Sequence, residues 1–170
     1  MFRTHIAVKA TVAFLIMLLL SVAGCDGEPE AMGPVVDLPA EYAPTSTEVL
    51  QLLDTALASE TMAYFTYLHA AAAFDRPFTH IGDAELRHVE AVQRLYVKRG
   101  MEAPDFVEPD GVPTYDARIL ACQAGVASEI AVVELYDELI PLSPPDVARV
   151  LARLREVSGD NHLQAFLGCS

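Results

Sequence analysis

One hundred and seventy residues, 52% of them apolar but only 8% aromatic, are enough for one ordinary domain and leave no comfortable room for two. Eleven basic against twenty-four acidic side chains give a net charge of -13, the wrong sign for a surface that tracks phosphates, so nucleic acid is not an expected partner. Part of the apolar content sits in one block near the N-terminus, which has to be set apart before the fold is read.

Arg3, His5 and Lys9 precede an uncharged run from Ala10 to Gly24. Those fifteen residues fall short of the roughly 20 that a helix needs to span a hydrocarbon core, so the block reads as a signal peptide. It ends Ser21-Val22-Ala23-Gly24-Cys25, which resembles the lipobox of bacterial lipoproteins: small residues before the cut, then a cysteine that is acylated and becomes residue one. An ordinary secretory peptide with a chance cysteine, or an uncleaved anchor, are the alternatives. The resemblance implies an exported protein held to the cell envelope by lipid on Cys25, each buried methylene contributing about 0.8 kcal/mol. Asp26 resembles the residue that retains lipoproteins in the inner membrane of enteric bacteria, which favours the periplasmic side of that membrane. Cleavage takes 24 residues and two positive charges from the chain, leaving 146 residues at -15. From Cys25 to about residue 45, Gly27, Pro29, Gly33, Pro34, Pro39 and Pro44 suit neither helix nor strand and make a flexible linker.

Residues 46–170 read as an all-α domain of four helices. Thr45 and Glu48 have capping-box spacing, and Val49, Leu53, Ala56, Leu57, Ala63, Tyr64, Tyr67 and Leu68 recur at helical period, which predicts a first helix over about 46–73. Asp75 and Pro77 open a second helix that Gly100 stops. Gly100 to Pro113, with four prolines or glycines inside or at its ends beyond the first, has no period. Thr114 is placed to cap a third helix that ends near Ile140 before Pro141, and Ser143 with Pro144 opens a fourth that ends near Gly168. A helix of about 24 residues is roughly 36 Å long, and fourteen extended residues reach roughly 46 Å, so the long connection can cross the bundle. Two antiparallel hairpins joined by one long crossover is the connectivity of ferritin-like four-helix bundles.

Charged residues interrupt each apolar stripe. Helix one carries Glu60 between Leu57 and Ala63; helix two carries Glu85 and His88, spaced i and i+3 on one face; helix three carries Glu129; helix four carries His162 with Leu151, Leu154, Ser158 and Ala165. A buried ion pair or an edge residue explains any one of these. A metal accounts for all five together, because carboxylate oxygens and neutral imidazoles coordinate iron or manganese and the cation offsets the buried charge. Arg87, Arg94, Arg153 and Arg155 lie off the stripes and read as solvated.

Ala84-Glu85-Leu86-Arg87-His88 with Val89-Glu90-Ala91-Val92, then Gly125-Val126-Ala127-Ser128-Glu129, then Asn161-His162-Leu163-Gln164-Ala165-Phe166 resemble an uncharacterised bacterial family of ferritin-like domains, domain of unknown function 2202. The resemblance covers roughly residues 45–168 and implies a di-iron or di-manganese site. Glu60 and Glu129 are then terminal ligands, Glu85 a bridging carboxylate, and His88 and His162 one ligand for each metal. The ferritin-like pattern has a second Glu-x-x-His on the fourth helix, where this chain has Gly159 three residues before His162. Asp160 points about 200° away from His162 and Glu156 lies nearly two turns off. Three carboxylates leave one positive charge on two divalent ions, which a hydroxide bridge or a single metal would balance.

Tyr64, one turn beyond Glu60, is either a core aromatic or a group that hydrogen-bonds a metal ligand or acts in electron transfer; Asn161 either orients His162 or faces solvent. His69 and His80 read as surface histidines, Glu134, Asp137 and Glu138 as an exposed acidic face, and Met32, Met62 and Met101 form no copper motif. If Glu129 and His162 face each other, Cys122, seven before the first, and Cys169, seven after the second, lie level and predict a disulfide. Reflection about a turn near residue 142 would instead set residue 155 opposite Glu129, so the pairing requires the proline-rich turn to be extended or the two helices to be offset. Three functions stay open: a metal-dependent oxidoreductase acting on oxygen or peroxide, which lacks a Cys-x-x-Cys pair to bring electrons; a non-catalytic metal-binding module; and a metal-free helical interaction domain. A homodimer is compatible with all three, whereas a storage cage is not expected of a lipid-anchored chain.

Overall fold

The computed structural model describes residues 47–169; the expected signal peptide, Cys25, the expected linker and the expected Thr45 cap lie outside them. The helices are α1 (Thr47–Phe74), α2 (Phe78–Val97), α3 (Arg118–Leu139), α4 (Pro145–Val157) and α5 (Leu163–Leu167). A short 3-10 turn, Ile140–Leu142, follows α3, and a π turn, Ser158–His162, joins α4 to α5 without leaving right-handed helical geometry. There is no strand among the described residues, and the domain is a helical bundle.

At the α1–α2 turn Asp75 adopts a left-handed conformation (φ 56°), and its carboxylate accepts from the Thr79 hydroxyl at 2.8 Å. α2 returns antiparallel to α1 and ends near the start of α4, where Arg99 holds Asp146 through two bonds of 3.0 Å. From there residues 101–117 cross the length of the bundle. Midway, Phe106 packs on Tyr64 and Phe65 at ring distances of 5.1 and 5.3 Å, and Glu108 meets His69 at 3.2 Å. At the far end the Arg118 guanidinium donates to the Phe74 carbonyl at 2.9 Å.

That last contact marks a correction. Thr114 does not cap α3, which starts at Arg118 with Ala117 as its N-cap residue and no side-chain cap bond. Ile119, in the first turn of α3, is exposed, and Ala121 and Cys122 begin the buried face. The stretch Arg118–Leu142 is long and apolar enough to cross a membrane, a property that core helices of bundles share.

The hairpin of α3 and α4 is offset. Asp137 faces Arg155 at 2.5 Å, and Cys122 is joined to Cys169 by a disulfide with Cα atoms 5.7 Å apart. The pairing is therefore centred beyond the turn, and the first turns of α4 overhang α3 to pack on the end of α2.

The core has two apolar blocks. Leu53, Leu57, Val92, Leu95, Leu139, Val147 and Leu151 belong to the larger, Ala63, Ala70, Phe78, Ile81, Ala121 and Phe166 to the smaller. Between them every long helical rod turns polar: Glu60 on α1, Glu85 and His88 on α2, Glu129 on α3, Ser158 and His162 on the π turn. The bundle thus folds around a charged layer, which burial alone would oppose.

Candidate metal centre

All five sequence-derived ligand residues converge in this layer. Glu60, Glu85 and Glu129 are 0%, 1% and 1% exposed, and His88 and His162 6% and 4%. Glu85 sits at the middle. Its Oε1 lies 2.8 Å from His162 Nδ1 and its Oε2 3.0 Å from His88 Nδ1, one oxygen to each imidazole. Behind His88 stands Glu60, with Oε2 3.3 Å from Nδ1; behind His162 stands Glu129, with Oε2 at 3.6 Å. The imidazole rings stack with centroids 5.3 Å apart. The result is two half-sites, Glu60 with His88 and Glu129 with His162, sharing Glu85.

Each terminal carboxylate is held by a tyrosine from the opposite hairpin. The Tyr136 hydroxyl of α3 donates to Glu60 Oε1, and the Tyr67 hydroxyl of α1 donates to Glu129 Oε1 at 2.7 Å. Each tyrosine follows its helix's own glutamate by seven residues, two turns on the same face, so antiparallel α1 and α3 exchange equivalent contacts. Neither tyrosine is among the site residues expected from the sequence. The repeated Glu-x6-Tyr spacing was the available signal.

Burial and the Glu85 charge raise the Glu60 carboxyl to about 8. Burial also pushes Glu85 upward, but the His162 and His88 imidazoles outweigh it and bring Glu85 to about 2. Burial lowers the two histidines, and their carboxylates outweigh that, carrying His88 to about 10 and His162 to about 9. Glu129 is raised by burial. Without a cation, protonated imidazoles supply the positive charge that keeps Glu85 ionised.

The donor geometry fits a cation better than it fits internal hydrogen bonding. Glu85 Oε2, Glu129 Oε2 and His162 Nδ1 are buried without a hydrogen bond, although charged partners lie at ion-pair distance. One donor atom each from Glu85, His88 and His162 lies within 4.8 Å of the other two, a spacing that one ion bound between them would close. Among the described residues no ion pair brings Lys or Arg into the layer: Arg94 pairs with Glu90 at 3.7 Å and Arg153 with Glu156 at 2.7 Å, both at the surface.

The other sequence candidates lie elsewhere. Tyr64 is half-buried in the aromatic contact with Phe106, away from the carboxylates. His80, Asp160, Asn161, Glu134 and Glu138 are exposed. Gly159 is not the position that faces the centre. A Cβ on it would meet the Val133 side chain at 3.4 Å, while Ser158 is fully buried on the stripe of Leu151, Leu154, His162 and Phe166. The wider π turn makes the difference: it sets Ser158 rather than Gly159 one turn before His162 and carries Phe166 rather than Ala165 onto the core face.

No family model matches the chain, and no curated protein matches it. The class of molecule is therefore defined by its fold and site: an all-helical bundle whose buried Glu and His cluster can hold a metal ion.

Proposed function

We propose that this chain is an exported, membrane-tethered ferritin-like protein that binds iron or manganese in the bundle core. One observation carries the reading: the Glu85 carboxylate presents one oxygen to each of two imidazoles, and each imidazole is backed by a further carboxylate. Glu60, Glu85 and His88 would hold one ion, and Glu129, His162 and the same Glu85 a second. Hard oxygen donors with two imidazoles match iron or manganese better than soft metals. Such ions supply one-electron chemistry toward oxygen or peroxide. The chain's part is to orient the ligands, through Tyr136 on Glu60 and Tyr67 on Glu129, and to exclude water. The crossover connectivity supports the same reading, and the resemblance to domain of unknown function 2202 is part of the proposal.

The depth of the layer favours a second reading, a metal-binding module without turnover, since every ligand residue is at most 6% exposed. Elemental analysis and metal titration of the protein, beside a Glu85→Ala, His88→Ala double variant, test both. About one or two equivalents of iron or manganese, lost in the variant, are expected, the range set by three carboxylates against the charge of two ions. A folded wild-type protein that takes up no metal overturns both readings. Consumption of oxygen or peroxide by the iron form then separates enzyme from module. Tethering rests on the lipobox-like Ser21–Cys25 segment, and labelled palmitate is expected in the wild type and not in a Cys25→Ala variant.

A further inference from the structure

The Ser158 hydroxyl lies buried in the core on the rod that carries His162. It is 0% exposed and forms no hydrogen bond, although a helical serine ordinarily bonds back to the carbonyl four residues earlier. A buried hydroxyl left unpaired is destabilising, so its presence in the core asks for a partner. The π turn places it on the buried stripe one turn before His162, as Glu85 lies one turn before His88 on α2. In the pseudo-symmetric arrangement of the half-sites, Ser158 therefore occupies the position equivalent to Glu85. With two divalent ions bound, the three carboxylates of the layer would leave one positive charge unbalanced.

We propose that the centre completes its ligand set with one small exogenous carboxylate, of formate size, which stands in for the absent fourth-rod carboxylate and accepts a hydrogen bond from Ser158 Oγ. The inference rests on the metal-binding reading above and adds a ligand class to it. Serine is shorter than glutamate by most of the carboxylate-bearing arm, and a free carboxylate supplies the same two oxygens and the same negative charge. Ser158 acts as donor to the anion, and the anion neutralises the metal pair.

The test uses the full chain in detergent, loaded with cobalt(II), with the visible absorption of the metal followed during titration with sodium formate. In the wild type the bands are expected to shift and saturate. Ser158→Ala is expected to keep its cobalt and weaken formate binding about tenfold or more, the effect of losing one hydrogen bond to a charged group. Ser158→Glu, which brings its own carboxylate, is expected to hold cobalt more tightly and to ignore formate. Cobalt-loaded wild type with bands unmoved by formate, or a Ser158→Ala protein that binds formate as the wild type does, overturns the inference while leaving the metal reading intact. A folded wild type that takes up no cobalt, iron or manganese overturns both.

Discussion

At the Tyr67 and Tyr136 hydroxyls, two neutral groups fix two charged ones. Each donates to one oxygen of a buried carboxylate and leaves the other oxygen facing the imidazoles, Glu60 Oε2 toward His88 and Glu129 Oε2 toward His162. Phenylalanine at either position keeps the ring and removes the donor, so a buried carboxylate oxygen loses its bond and the carboxylate its orientation. Tyr67→Phe and Tyr136→Phe are each expected to weaken metal binding by roughly 10–100-fold, as loss of an outer partner of a ligand does. Competition against a chelator of known affinity measures it, and unchanged helical circular dichroism separates it from misfolding. The five charged residues were legible in the sequence because a charge on an apolar stripe breaks the pattern. The tyrosines were not, because a core aromatic breaks nothing.

Elements decide which residues reach the layer, and here the sequence was legible in number more than in detail. Four rods and the long crossover followed from apolar period and from the Pro- and Gly-rich stretch at 100–113. The π turn did not, because it alters hydrogen bonding within a run whose composition still reads as helix; α-helical spacing sets Gly159 at the Glu-x-x-His position before His162, where the π turn brings Ser158. The α3–α5 contact shows how tightly that register is set. Gly125 lies against the Phe166 ring, and a Cβ there would come within 2.6–2.7 Å of three ring carbons. Phe166 cannot yield easily, since Tyr67 and Phe78 flank it at ring distances of 4.9 and 5.5 Å. Gly125→Ala gains up to about 1 kcal/mol in helix propensity, but overpacking costs about 1–3 kcal/mol, so the variant is expected to be less stable by urea denaturation. Overhang of α4 is held differently, by an ion pair. Burial raises the Asp146 carboxyl, but Arg99 and Lys98 outweigh it and hold the group below its ordinary value of 3.8. A carboxyl lowered on folding stabilises the native state above its unfolded value and loses that effect as pH falls through the lowered one. Asp146→Asn should therefore cost about 0.5–1 kcal/mol at neutral pH, a solvent-screened figure for a partly exposed pair. In acid, below the folded value, wild type and variant should converge, as paired urea midpoints would show.

For the whole molecule, the question is what joins one hairpin to the other. The disulfide Cys122–Cys169 closes only the second hairpin, from α3 to the chain beyond α5. Glu60, Glu85 and His88 come from the first hairpin and Glu129 and His162 from the second, so the polar layer lies across their boundary. Metal bound there would stabilise the folded bundle and have no equivalent site in the unfolded chain, because the five ligands are brought together only by packing. Binding at a free concentration 100 times the dissociation constant adds about 2.7 kcal/mol. For a domain of this size that amounts to roughly 10 °C in Tm. Chelation of the loaded protein is accordingly expected to lower Tm by about that amount, an order-of-magnitude figure from the same relations, measured by calorimetry at fixed free metal. The Glu85→Ala, His88→Ala variant should melt at one temperature with and without chelator. Reducing the disulfide should lower the melting of both loaded and stripped wild type, yet leave the gap between them, because the cross-link constrains one hairpin while the metal ties the two together. A gap that closes on reduction would place the metal's effect within the second hairpin, and the shared role of Glu85 would fail with it.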